Sequence, residues 1–159
     1  MARPSTKASP SSRRPLTRAM LLPLPAAVAQ TASLQNHLAL ETLRHGYGAS
    51  TQVSFLFRAV FLTYLLRDRV KDCCGIETFR NAEAALYRCT RRAADDGVWL
   101  LPEADIHDLM LILAVHDRQL ASVPTHAHDA ARATVLRYAT GNEPSPIPQA
   151  DANIPAPGG

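Results

Sequence analysis

A chain of 159 residues has the length of one domain, and its 47% hydrophobic content is that of an ordinary globular protein. Three cysteines do not make a disulfide framework, and no apolar run reaches the roughly 20 residues that a membrane span requires. The formal net charge of +3 is unevenly placed: Arg3, Lys7, Arg13, Arg14 and Arg18 all precede the first acid, Glu41, whereas bases and acids balance between Ala26 and Gly141.

Prolines divide the chain. Pro25 and four others open it and Pro144 and four others close it, with only Pro102 and Pro124 between. Proline breaks helix interiors, so the pattern predicts a helical domain over 26–141. It sits between a basic disordered tail, 1–25, and a Pro-rich disordered tail, 142–159. Within the first tail, Ser12 to Arg18 loosely resembles a twin-arginine export motif, and Ala27-Val28-Ala29 a cleavage site. Pro23 and Pro25 interrupt the apolar stretch between them, which favours a cytoplasmic protein, with export as the alternative.

The first helix lies within 26–45, and Leu34, Leu38 and Leu43, with Leu40 beside them, are expected to supply its apolar face. Ser33 is a candidate N-cap or start, and Gly46 a natural C′ residue. The most apolar run, VSFLFRAVFLTYLL over Val53–Leu66, has Arg58 as its only charge. Apolar nearly all round, it reads as a central helix covered by several neighbours, capped by Ser50 or Thr51 and running to about Asp72. A third helix starts near Ile76 or Glu77, with the stripe Phe79, Ala82, Leu86, Cys89 and Ala93, and stops at Asp95-Asp96-Gly97. Val98–Leu101 is an apolar link packed on the core.

Pro102, Glu103 and Asp105 suit the start of a fourth helix, whose stripe is Ile106, Leu109, Met110, Leu113 and Leu120. Thr125 caps a fifth helix, about 126–140, which Gly141 ends. The fold class is therefore all-α: a small four- to five-helix bundle with disordered N- and C-terminal tails.

Few residues carry a chemical signature. His126 and His128 are the weak metal candidates, but a spacing of two does not place them on one helical face, and neither H-x3-H nor HExxH occurs. His37, His116 and Asp117 are polar residues on otherwise apolar helices and form a candidate buried cluster. Cys73 and Cys74 lie beside Arg69 and Lys71, which can lower a thiol pKa; reduced thiols are the default for these two and for Cys89. Gly-rich phosphate loops are missing, so the usual nucleotide enzymes are excluded and no cofactor is implied. A helix-turn-helix around Gly46 would make the central helix the recognition helix, yet that helix opens with Val53, Phe55, Leu56 and Phe57, which belong in a core.

The segments LLPLPA, SLQNHLALETLRHGYG, FRAVFLTYLL, AEAALYRC, WLLPE and ILAVHDRQLASVPTH, spread over most of residues 21–128, are similar to a group of small β-proteobacterial proteins of the Burkholderia type. These are often classed as Fis-family transcriptional regulators. The resemblance implies DNA binding and a folded LLPLPA segment. The Fis-type unit is a C-terminal helix-turn-helix, and here the C-terminus is Pro-rich, so no site residue carries over. The resulting expectation is a non-enzymatic bacterial regulatory or adaptor protein, with DNA contacted through Arg3, Lys7, Arg13, Arg14 and Arg18. Two alternatives stand beside it. One is a protein-interaction module or self-associating bundle; the other is a metal or thiol sensor.

Overall fold

The structure, a computed structural model, describes residues 14–141 and 143–150. It is all-α. Its helices are α1 (Arg18–Leu21), α2 (Ala26–Arg44), α3 (Ser50–Leu65), α4 (Ile76–Asp96), α5 (Glu103–Ser122) and α6 (Thr125–Thr140), with a 3-10 turn at Arg67–Arg69. No strand occurs among the described residues; Pro23 and Pro124 make one isolated β-bridge. No helix there is long and apolar enough to cross a membrane.

The central position of α3 follows from its composition. It packs against α2, α4, α5 and α6 and buries Val53, Leu56, Ala59, Val60, Leu62, Thr63 and Tyr64. The main core gathers Leu40 and Leu43 of α2, Phe79 and Leu86 of α4, and Leu109, Ile112 and Leu113 of α5 around it. A second, smaller core joins Leu62 and Leu66 to Val123, Ala127, Ala131 and Val135. Tyr64 meets Phe79 edge-on, with ring centroids 5.5 Å apart, a favoured aromatic geometry.

Helix ends follow local chemistry, with some shifts. Gly46 has φ +76°. Its N–H donates to Leu43 O at 3.2 Å and that of Tyr47 to Thr42 O at 3.0 Å, which completes a Schellman motif. Ser33 neither caps nor starts α2; Pro25 does so one turn and more earlier, because proline is tolerated at a helix start. Ala49, not Ser50 or Thr51, is the N-cap of α3, and Gln52 Oε1 accepts from its N–H at 2.9 Å.

Helix α3 also stops at Leu65 and not near Asp72. Its apolar pattern ends at Leu66, so further helical turns would bury nothing. Instead Asp72 turns back with φ 53°, and Arg118 of α5 donates to the carbonyls of Lys71 and Asp72 at 3.2 and 3.0 Å.

The folded body reaches past the proline boundaries on both sides. Leu22 O accepts from the N–H and the hydroxyl of Thr125, at 2.8 and 2.9 Å, so Thr125 anchors α1 and Pro124 holds the N-cap position of α6. Ile147 is only 1% exposed, and Arg80 Nε donates to Pro148 O at 2.7 Å. Backbone carbonyls, which every residue type carries, make most of these contacts. They leave little trace in composition.

Candidate functional site

The covering of α3 is incomplete. Helices α4 and α6 both pack on it, and between them lies an open groove of about 620 Å³. Its floor is Phe57 and Phe61 of α3, which the all-round apolar pattern placed in a closed core and which are in fact only half-buried. Tyr87 of α4 forms one wall, its ring 5.0 Å from that of Phe57 and tilted by 60°. Leu136 and Tyr138 of α6 form the other. Tyr87 is 54% and Leu136 63% exposed. An apolar, aromatic-lined concavity of this size is typical of a ligand site.

A second chamber, of about 250 Å³, adjoins the first. Its polar lining is Gln35 and Asn36 of α2, His116 of α5, and His128 of α6, beneath Leu24 and Val28. Arg58 of α3 and Arg132 of α6 line both chambers. Arg58 also stacks over Phe55, 5.2 Å from the ring centroid. Neither arginine has a carboxylate partner among the described residues.

The two histidines of the chamber are 2% exposed each. His128 Nε2 lies 3.0 Å from Gln119 O; a carbonyl only accepts, so Nε2 carries the proton. The Gln119 side chain donates to Thr63 O at 3.0 Å, tying α5 to α3 inside the core. His116 Nδ1 and Gln119 Oε1 are buried without a partner. Burial above all, then the neighbouring His128, pushes the His116 pKa down to about 4, and Arg58 adds to this against Asp117 and Gln119. His128 is lowered as well, chiefly by burial, with Arg132 contributing. Both are neutral imidazoles at neutral pH.

The cluster expected of His37, His116 and Asp117 is split. His37 Nε2 donates to Asp117 Oδ2 at 2.8 Å, but the side chains are 46% and 35% exposed, a surface pair between α2 and α5. His116 faces the interior. Consecutive residues on a helix point about 100° apart, so His116 and Asp117 serve different surfaces.

The metal candidates part in the same way: His126 Nδ1 donates to Met20 O at 2.9 Å, while His128 turns inward. No group of three His, Cys, Asp or Glu residues able to hold a metal occurs among the described residues. Cys73, Cys74 and Cys89 are free thiols. Burial raises the pKa of each, outweighing Arg118 at Cys73 and Cys74 and Arg92 at Cys89, so basic neighbours do not activate these thiols. Arg14 and Arg18 are exposed; Arg3, Lys7 and Arg13 lie outside the described residues.

Residue patterns pointed to the histidines and cysteines and passed over Tyr87, Arg132 and Tyr138. The one available hint was Arg58, the single charge in the most apolar run. Comparisons with protein-family models, curated proteins and solved structures find no match to this chain.

Proposed function

We propose that this protein is a non-enzymatic regulatory or adaptor module that works by taking an apolar group into the groove between α3, α4 and α6. One observation carries the reading: Phe57 and Phe61, on the helix that organises the core, remain open to solvent between two aromatic-bearing walls. A single exposed apolar side chain requires no explanation, but a contiguous aromatic concavity points to a binding surface. The regulatory part rests on the resemblance to small bacterial regulators.

The test is uptake of an uncharged solvatochromic dye, Nile red, by the native protein and by Ala133→Trp. Ala133 is exposed and lines the groove, so an indole there fills the space without disturbing the core. The native protein should enhance and blue-shift the dye emission. Ala133→Trp should lose most of that signal at an unchanged melting temperature. Equal uptake by the two proteins would sink the reading.

A further inference from the structure

We infer that the occupant is a single-chain anionic amphiphile, with its compact acidic head held by Arg58 and Arg132 beside the polar chamber and its apolar tail in the aromatic groove. This rests on the groove reading above and names the class of molecule that the site takes.

Three observations carry it. First, charge: Arg58 and Arg132 line both chambers, while no Asp or Glu among the described residues lines either. An apolar groove that ends at two unneutralised guanidinium groups complements a carboxylate or phosphate monoester, because the charge-assisted contacts are strong and can be bidentate. Second, polar lining: Gln35, Asn36 and the buried rings of His116 and His128 surround the smaller chamber. Such a lining of donors and acceptors suits a hydrated acidic head and not an apolar tail. Third, size: the two volumes, about 620 and 250 Å³, match a long tail and a small head.

Other features of the molecule carry less. The Cys73–Cys74 loop has thiols with raised pKa values and no metal partner. Gln149 donates to Oε2 of the buried Glu83 carboxylate at 3.3 Å, and the unpartnered Oε1 lines neither chamber.

The test is isothermal titration calorimetry of the native protein with dodecanoate, dodecanol and dodecyltrimethylammonium, all below their aggregation limits. The three share a tail and differ in the head. Dodecanoate should bind about tenfold or more tighter than dodecanol, with dodecyltrimethylammonium weakest. The double variant Arg58→Gln/Arg132→Gln should erase the preference, since both side chains are exposed and their loss spares the fold. Added salt should weaken dodecanoate and leave dodecanol unchanged.

Equal binding of the acid and the alcohol would overturn the head assignment while the Nile red result keeps the groove. Failure of every amphiphile, together with dye uptake unaffected by Ala133→Trp, would remove the groove as well. Light scattering covers the remaining occupant. A dimer that Ala133→Trp dissociates and dodecanoate does not would assign the groove to a second copy and overturn the proposal.

Discussion

On one face of α3, Val53, Leu56, Val60 and Thr63 are sealed beneath neighbouring helices; on another, Phe57, Arg58 and Phe61 look into a groove. The residue types alone do not separate the two. Both faces are apolar at helical spacing, and the groove side carries the larger side chains. What separates them is supply. Helices α2, α4 and α5 close over the first face, whereas α6 buries small side chains such as Ala131 and Val135 beside the second and leaves Phe57 and Phe61 half covered. An apolar surface becomes core or site according to what the rest of the chain can bring to it.

Substitutions can break this contrast. Leu56→Ala should cost the most, about 3 kcal/mol in chemical denaturation, since Leu56 is fully buried and its removal leaves a cavity. Phe57→Ala, although it removes a larger side chain, should cost less, about 2 kcal/mol, because part of that ring already faces solvent. It should also lower dye uptake. Equal losses of stability at the two positions would mean that the groove is closed in solution.

Acid sharpens the same contrast from the side of the polar chamber. The folded-state pKa of His116, about 4, lies below its ordinary 6.5. In that interval the unfolded chain binds the proton and the folded one does not, so the stabilisation is complete above about pH 6.5 and is lost as pH falls toward 4. The loss is roughly 3 kcal/mol, with His128 adding in the same direction. Melting temperatures across that interval should fall steeply in the native protein and less so in His116→Gln; parallel curves would show that His116 is not buried as a neutral ring. The smallest effect belongs to the surface pair. Asp117→Asn should cost less than about 1 kcal/mol, as exposed ion pairs do, and a larger loss would place His37 and Asp117 in the interior after all.

Much of the architecture could be read from residue order. The 3-4-3-4 stripe from Phe79, the Gly46 and Gly97 stops and the apolar run of α3 each encode a local periodicity or backbone requirement, and local requirements survive in sequence. Features that depend on which surface meets which did not survive. His116 and Asp117 are neighbours in sequence yet serve different surfaces of α5, one interior and one exposed. The two arginines that share the site are 74 positions apart, at 58 and 132, and nothing in either segment announces the other. Ile147 looked like part of a proline-rich tail because one apolar residue makes no pattern, although one is enough to fill a gap beside α4.

The anchoring of Thr125 to Leu22 has a consequence for how the molecule assembles. The two residues are 103 positions apart. During synthesis the segment before α2 emerges first, yet it has nothing to bind until α6 exists. A contact closing so long a loop carries a high entropic cost and belongs among the later events of folding. Leu24, which follows that anchor, forms part of the wall of the polar chamber. The chamber is therefore finished only when the segment around Leu24 meets the start of α6, and any occupant meets a complete site only once that late contact has formed.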